Sequence, residues 1–323
     1  MLTDAQLDQF HAEGYLIIRG LLSYENDLQP VVAEYDGVLE KLIQKWREKE
    51  RLTSTYEGLP FGERLISAVQ EAKLPYDLDF DISLPQTKLT PETPMHHGPA
   101  VFDLLRTPCL LDVVEAFIGP EIYCNPVQHT RVKFPEPLLP EEIRSGLSAQ
   151  IAPHQDLGVI IDEADQTEML TVWFPITAAT LENGCLGVVP GSHHQGLSLH
   201  CQSQNPLTLN QVCIPDQHMT EPLVPLPMQP GDVLFMHRCT RHAGLPNQSD
   251  EIRWSFDLRY HRIGDPTGRP WFPGFIARSR ANPESELHDP VQWAESWQEA
   301  RRVLSQNENI TFNRWAQDDP RCA

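Results

Sequence analysis

Apolar positions near the start of the chain recur at helical spacing and then give way to a short continuous run. Thr3 and Gln6 stand three residues apart ahead of a periodic apolar segment, which predicts a capping box and a helix that Gly14 ends. The run 15–18 predicts a short strand. Apolar residues three and four apart, opposite a charged face, predict further helices over 24–50, 65–74 and 101–118, the last interrupted by Pro108. The proline-rich stretch 75–95 predicts a loop.

The pattern changes at residue 121, where short β-branched and aromatic runs begin, each bounded by Pro, Gly, Asn or Asp. These runs predict strands over 121–134, 149–161, 168–176, 185–190, 222–226, 232–238 and 251–261. Close spacing of this kind is typical of a barrel or a double-sheet jelly roll and not of alternating β and α units. The segment 283–318 is again helical in pattern and rich in Trp. We therefore expect a mainly β fold with helical additions at both ends.

Composition and charge exclude several classes of partner. The 323 residues are 40% hydrophobic and 22% charged, which is ordinary for a globular protein. A net charge of −20 disfavours nucleic acids and anionic membrane surfaces as partners. No apolar run approaches the roughly 20 residues that cross a bilayer. Seven scattered cysteines without a Cys-x-x-Cys pair favour reduced thiols and a cytoplasmic location, and argue against a disulfide framework.

Candidate metal ligands follow Pro153, in a strand-like run. Side chains alternate along a strand, so His154 and Asp156 are expected on the same face. His242 follows a later buried strand, and His237 is a rival candidate five residues before it. Two histidines and one carboxylate in this layout are typical of the facial triad that binds Fe(II) in non-haem oxygenases. The alternative is that His242 only caps a loop.

The last strand-like run carries a candidate anion site. Its apolar residues, from Ile252 to Tyr260, alternate with polar ones, which places Arg253, Ser255, Asp257 and Arg259 on the opposite face. An arginine beside a hydroxyl can bind a carboxylate through a bidentate fork and one further hydrogen bond. Arg253 follows His242 by eleven residues across an expected antiparallel turn. That spacing suits the far carboxylate of 2-oxoglutarate, whose keto-acid end would chelate the metal.

With these features the chain resembles the phytanoyl-CoA dioxygenase family of Fe(II)- and 2-oxoglutarate-dependent oxygenases. The resemblance covers most of residues 1–262 and is carried by the segments 2–15, 154–156, 173, 182–193, 231–232, 242 and 253. It implies a double-stranded β-helix core, a jelly roll of the cupin-like kind. It also implies that His154, Asp156 and His242 are the iron ligands and that Arg253 holds the co-substrate.

The resemblance assigns further co-substrate contacts. Trp173 matches a family position beside the 2-oxoglutarate, and Thr130 matches another. Gly244 stands where relatives often have a serine, so the hydrogen bond that the serine would donate is expected from Ser255. Halogenating relatives have a small residue at the position of Asp156, and a carboxylate there implies hydroxylation or a related oxidation.

The implied activity uses Fe(II), 2-oxoglutarate and O2 to hydroxylate, or otherwise oxidise, an unactivated C–H bond of a small organic substrate, with release of succinate and CO2. Two other classes stay open on the residues alone. A zinc-dependent hydrolase or isomerase on a cupin-like barrel would use the same three ligands and leave Arg253 without a co-substrate. A non-catalytic jelly-roll binding module would need none of these groups in register.

The same reasoning predicts one oxygenase domain over 1–323, with a mainly helical part over 1–119, a jelly-roll core over 120–262, and a lid and C-terminal helix over 263–323. Six arginines lie close together in this acidic chain, at positions 253, 259, 262, 269, 278 and 280. They predict either a lid that recognises an anionic group on the substrate or pairing with local acids. His129, Arg131 and Lys133 share one face of the 121–134 run and either contact a ligand or face solvent.

Overall fold

The helices of the protein come mainly from its first 118 residues. The structure is a computed structural model that describes residues 2–144, 150–205, 208, 211–307, 310–316 and 319–322. Its α-helices in these residues are α1 (Asp4–Glu13), α2 (Gln29–Glu48), α3 (Phe61–Ala72), α4 (Asp77–Phe80), α5 (Pro99–Leu105), α6 (Pro108–Ile118), α7 (Glu141–Arg144) and α8 (Pro290–Leu304). The capping box of Thr3 and Gln6 is confirmed, and Gly14 ends α1 at a φ of 76°.

The strands form two sheets and a two-stranded ribbon. They are β1 (Tyr15–Ile18), β2 (Glu121–Cys124), β3 (His129–Lys133), β4 (Ile151–His154), β5 (Leu170–Pro175), β6 (Leu186–Val188), β7 (Cys201–Gln202), β8 (Val212–Cys213), β9 (Val224–Leu226), β10 (Val233–His237), β11 (His242–Gly244), β12 (Arg253–Arg262) and β13 (Phe275–Ser279). The larger sheet has the order β1-β10-β5-β12-β2-β13, and β3 also pairs with β12. The smaller sheet has the order β4-β11-β6-β9. The expected jelly-roll core is confirmed.

The larger sheet separates two environments. Its outer face packs on the helices, where Trp254, Phe256 and Tyr260 of β12 join Tyr35 of α2 and Trp293 of α8 in the main hydrophobic core. Its inner face meets the smaller sheet through a second cluster that includes Trp173, Leu234, Leu186 and Val188. The alternation predicted for β12 is therefore confirmed. One face of the strand stabilises the fold, and the other faces the barrel interior.

Several elements differ from the sequence prediction. The expected loop 75–95 contains the short helix α4, and the expected lid contains β13, which pairs with β2. The C-terminal helical pattern yields a helix only over Pro290–Leu304. Residue 149 of a predicted strand and residues 308, 309, 317 and 318 of this pattern lie outside the described residues.

One cysteine prediction is wrong in part. Cys201 and Cys322 form a disulfide, although the scattered cysteines suggested that all thiols were reduced. Five other cysteines carry free thiols, as expected. The two partners are 121 residues apart in sequence, and a pairing over such a distance has no local signature. Among the described residues, no helix is both long and apolar enough to span a membrane.

Candidate active site

Two histidines from neighbouring strands and one carboxylate from the turn after the first strand converge at one point in the barrel. His154 is the last residue of β4 and lies directly opposite His242, the first residue of β11. The two imidazole rings are 4.2 Å apart between centroids. One donor atom from each of His154, Asp156 and His242 lies within 4.8 Å of the other two. These three are the group of potential metal ligands that the described residues contain.

The carboxylate reaches this point by a route that differs from the prediction. The strand ends at His154, and Asp156 opens a 3₁₀ turn over Asp156–Val159 instead of continuing the strand. The backbone N–H of Gln155, between the two ligands, donates to Nε2 of buried His200 at 3.0 Å. The turn, held in this way, brings the carboxylate back towards the histidines, and Asp156 Oδ1 lies 3.9 Å from His154 Nε2.

Both histidines present the same ring nitrogen to the centre of the site. Nδ1 of His154 lies 2.9 Å from the carbonyl oxygen of Ala152, and Nδ1 of His242 lies 3.0 Å from that of Thr240. A carbonyl accepts only, so each Nδ1 carries the proton and donates it, and each Nε2 keeps its lone pair. Burial and then the neighbouring His242 lower the pKa of His154 to about 3, which keeps its ring neutral. Neutral imidazoles with a fixed second nitrogen are the form that binds a metal.

Asp156 is buried and is oriented by two side chains of the larger sheet. Arg259 donates to its Oδ1, and Thr171 donates to its Oδ2. Thr171 and Arg259 lie opposite each other on β5 and β12, so the sheet register sets both contacts. Burial acts to raise the pKa of Asp156, but the charge of Arg259 and its hydrogen bond lower it below its usual range. The carboxylate is therefore ionised, and each oxygen keeps a free lone pair for a metal.

Arg253 lies at the other end of β12, with the predicted co-substrate residues around it. It is 2% exposed, donates to Ser255 through Nη1, and has its guanidinium carbon 5.5 Å from the centre of the Trp173 ring. Its Nε is buried and has no hydrogen-bond partner in the described part of the chain. Burial and then Arg131 lower the pKa of Arg253 to about 10, so the guanidinium is charged at neutral pH. The structure therefore places a buried positive charge with an unsatisfied donor at this end of the site.

The path from His242 to Arg253 differs from the expected antiparallel turn. β11 belongs to the smaller sheet and β12 to the larger one, so the chain crosses between sheets over these eleven residues. The two residues thus come from opposite walls of the barrel. The spacing alone gave no indication of this crossing, because a hairpin and a crossover of equal length have the same residue count.

Thr130 does not lie with the other predicted contacts. It sits opposite Phe256, on the outer face of the sheet, where its hydroxyl is 3.2 Å from that of Tyr35 in the hydrophobic core. The hydroxyl therefore points away from Ser255, and the contact of Thr130 with the co-substrate stays a prediction. Its neighbours Arg131 and Lys133 lie opposite Ser255 and Arg253 and share their inner face. They also line an open cleft between α4 and β3, together with Asp77, Asp81 and Thr130.

His237 and the more distal arginines have other partners. His237 accepts from the backbone N–H of Cys239 at 3.1 Å and lies against His193, outside the group of three ligands. Arg262 pairs with Glu168, and Arg278 and Arg280 pair with acids of α6. Arg269 is buried and donates to the carbonyl of Val159. For Arg262, Arg278 and Arg280, pairing with local acids is the interpretation that the structure bears out.

The sequence prediction missed the contacts of Arg259 and Thr171 with Asp156 and the burial of Lys133. Alternation had already placed Arg259 on the same face as Arg253, so the signal for an inward-facing charge was present. The partner of Arg259 was not predictable, because Asp156 comes from a distant segment whose strand was expected to continue. Lys133 had been weighed equally as a solvent-facing residue, yet it is 5% exposed.

Comparison with known proteins identifies a family that matches most of the chain. The family described as Phytanoyl-CoA dioxygenase (PhyH) matches residues 10–255. A phytanoyl-CoA dioxygenase of Arabidopsis thaliana is 25% identical over 266 residues, which are 80% of this chain and 88% of the relative. A methylphosphonate hydroxylase of Gimesia maris is 26% identical over 269 residues and 82% of each chain.

A solved structure has a similar fold. The epimerase SnoN, in complex with Fe3+, alpha ketoglutarate and nogalamycin RO, superimposes with a TM-score of 0.51 at 19% identity, over 82% of this chain and 86% of its own.

Proposed function

The chain belongs to the phytanoyl-CoA dioxygenase family, and we propose that it acts as an Fe(II)- and 2-oxoglutarate-dependent dioxygenase in which His154, Asp156 and His242 bind the iron and Arg253 binds the co-substrate. When bound, iron supplies the activation of O2 for oxidation of an unactivated C–H bond, coupled to conversion of 2-oxoglutarate to succinate and CO2. The substrate is a small organic molecule. The single observation that carries this proposal is the convergence of the three donor atoms within 4.8 Å.

The donor set fits ferrous iron. Two imidazoles and one ionised carboxylate on one side form the facial arrangement that leaves coordination positions open. Nδ1 of each histidine is held by a backbone carbonyl, which fixes the ring orientation before any metal binds. The epimerase of the same fold, solved with Fe3+ and alpha ketoglutarate, supports this choice of metal and co-substrate.

The remaining residues of the site position these groups. Arg259 and Thr171 hold the carboxylate of Asp156 in one orientation. Ser255 accepts from Arg253, and the face of Trp173 lies beside the guanidinium, so Arg253 is oriented before the co-substrate arrives. Preorganised groups of this kind reduce the entropy lost on binding. The buried, unpartnered Nε of Arg253 is a donor that a carboxylate would satisfy.

We further propose that the substrate carries an anionic group and that Arg131 binds it. Arg131 is half-buried in the open cleft, faces the barrel interior beside Ser255, and has no ion pair within the described part of the chain. A relative that covers most of the chain is named for hydroxylating methylphosphonate, which is an anion. A cytoplasmic location remains a proposal that rests on the sequence alone.

The test is an anaerobic titration of the metal-free protein with Fe(II) and then 2-oxoglutarate. The wild type should develop a weak visible charge-transfer band, because the keto acid chelates iron in the open positions. Arg253→Ala should give little band at the same 2-oxoglutarate concentration, and His242→Ala should bind little iron. Bound zinc with no band and no succinate release would instead support a hydrolase, and the absence of any metal binding would support a binding module.

The substrate proposal has its own readout. Succinate release should rise when a true substrate is present, so a panel of organic anions and matched neutral esters can be scored against it. Arg131→Ala should lose stimulation by the anions and keep the slow substrate-independent turnover. Stimulation by the neutral esters alone would contradict the anionic assignment.

A further inference from the structure

Lys133 is a buried lysine whose charge has no carboxylate partner. It is 5% exposed, and it forms no ion pair among the residues that the structure describes. Its ammonium donates to the carbonyl oxygen of Leu245, which is its one acceptor in the described part of the chain. An ammonium has three N–H donors, so two remain for other groups. Burying a charge under these conditions is costly unless a ligand compensates for it.

The register of the sheet places this ammonium beside Arg253. Lys133 of β3 lies directly opposite Arg253 of β12, and residues opposite each other on neighbouring antiparallel strands point to the same face. Both side chains line the same cleft. Burial and then Arg253 lower the pKa of Lys133 well below its ordinary value, and the smaller effect of the Glu136 charge raises it. Two buried basic groups therefore face each other without a carboxylate between them, and the charged form of Lys133 is disfavoured until an anion binds.

The opposite wall leaves space for the lysine head. A Cβ placed on Gly244 of β11 would lie 3.3 Å from Lys133 Nζ, which is tight for a side chain at that position. Gly244 follows the proposed iron ligand His242 by two residues. The ammonium therefore lies at the junction of the two sheets, between the strand of the proposed iron site and the strand of Arg253.

We propose that Lys133 is a second cationic residue of the co-substrate site and that, together with Arg253, it binds the far carboxylate of 2-oxoglutarate. This inference rests on the proposed function. A carboxylate can accept from the unpartnered donors of both residues at once, since its two oxygens offer about four lone-pair sites. Its negative charge would remove the repulsion between the two cations. Lys133 thus becomes a specificity-determining residue for a diacid over a monoacid.

The alternative is a purely structural lysine that ties β3 to β11 through Leu245. Lys133→Gln separates the two roles, because a glutamine amide is neutral and can still donate a hydrogen bond. Lys133→Met removes both the charge and the donor. Lys41→Met, on the exposed side of α2, is the matched control for loss of a lysine charge.

The experiment measures binding and stability without turnover. Isothermal titration calorimetry under anaerobic conditions gives the Kd of 2-oxoglutarate, and separately of pyruvate, for the Fe(II)-loaded wild type and each variant. Lys133→Gln and Lys133→Met should weaken 2-oxoglutarate binding by about ten- to hundredfold, the range of a charge-assisted hydrogen bond. Pyruvate has no far carboxylate, so its Kd should stay within about twofold of the wild-type value. Lys41→Met should change neither.

Thermal denaturation of the metal-free protein completes the test. Loss of an uncompensated buried charge should leave the Tm of Lys133→Gln at or above the wild-type value. A lower Tm with an unchanged 2-oxoglutarate Kd would overturn the inference in favour of the structural role. Equal weakening for 2-oxoglutarate and pyruvate would also overturn it. If the wild type itself binds no 2-oxoglutarate, the proposed function fails. If the wild type and the Lys133 variants bind it equally well, that function stands and this inference alone falls.

Discussion

The two ends of β12 each bury an arginine on the inner face of the larger sheet, and they balance its charge in different ways. At one end Arg259 pairs with Asp156 and with Asp257, so its charge is neutralised within the chain. At the other end Arg253 has no carboxylate partner in the described chain and faces Lys133. The difference shows that a buried charge can be neutralised by another side chain of the fold or left for a ligand to neutralise. Only the second arrangement leaves a buried positive charge that a ligand could neutralise.

The largest effect on binding is expected from replacing Asp156, the carboxylate that pairs with Arg259. Asp156→Asn should weaken iron binding by more than about a hundredfold, since loss of an outer partner of a metal ligand alone costs roughly 10- to 100-fold. It also leaves Arg259 with Asp257 as its remaining acid. Iron content after dialysis and succinate formation measure the effect.

The control for this variant is Asp162→Asn, which removes an exposed carboxylate six residues away. It should retain iron and activity. An Asp156→Asn protein that holds iron as tightly as the wild type would contradict the assignment of Asp156 as a ligand.

Replacing each arginine with methionine compares the two ends directly. Arg259→Met leaves Asp156 and Asp257 without their cation, and breaking a buried pair typically costs roughly 3–5 kcal/mol of unfolding free energy. Arg253→Met removes a charge that has no carboxylate partner here, so the metal-free protein should be as stable as the wild type or more stable. Denaturant unfolding of both metal-free variants measures the difference, and equal destabilisation would show that the two ends are not distinct.

A third prediction concerns the stability of the protein in acid, through His200 next to the Asp156 turn. Burial lowers the pKa of His200 to about 4, and its neutral ring accepts from Gln155 between two proposed ligands. The unfolded chain, with an ordinary histidine pKa near 6.5, binds the proton first as pH falls. This contribution is therefore complete above about pH 6.5 and is lost as pH falls towards 4, by at most about 3 kcal/mol.

His200→Gln can still accept from Gln155 and cannot titrate. Its Tm should fall less steeply than that of the wild type between pH 6.5 and 4, measured by differential scanning calorimetry on metal-free protein. Parallel curves for the two proteins would show that His200 does not contribute to the acid sensitivity.

The smallest effect is expected from Trp173→Phe, beside Arg253. The smaller ring weakens a cation–π contact worth about 0.5–1 kcal/mol, so 2-oxoglutarate should bind about two- to fivefold less tightly. Trp254→Phe changes a tryptophan on the outer face of the same sheet and is the matched comparison. It should lower the Tm and leave the 2-oxoglutarate Kd unchanged in calorimetry. Weaker 2-oxoglutarate binding by Trp254→Phe and unchanged binding by Trp173→Phe would contradict the assignment of the inner face to the co-substrate.

The periodic parts of this fold could be predicted because their signals are local. The capping box at Thr3, the alternation along β12 and the two helices on either side of Pro108 all depend on residues within a few positions of one another. Elements that depend on distant partners could not. The strand β13 in the expected lid, the Cys201–Cys322 disulfide and the crossing between sheets after His242 each involve partners chosen by tertiary packing.

The candidate site shows the same division. The two histidines and Asp156 could be named from the sequence, and the structure brings their donor atoms together. The reason given for their convergence was only half right, since Asp156 lies in a 3₁₀ turn and is held there by Arg259 and Thr171. Thr130 lies on the outer face of the sheet, since neighbouring residues along a strand point to opposite faces, and its contact with the co-substrate stays a prediction.

The edge strand β1 has a consequence for how the protein is made. Tyr15–Ile18 pairs with Val233–Met236, so about 215 residues separate the two partners along the chain. At a ribosomal rate of roughly 5–20 residues per second, the first strand waits about ten to forty seconds for its partner. During that time its apolar residues are available to chaperones. A ribosome that pauses before Val233 holds a nascent chain whose larger sheet is open along one side, and at that stage proteases compete most effectively with folding.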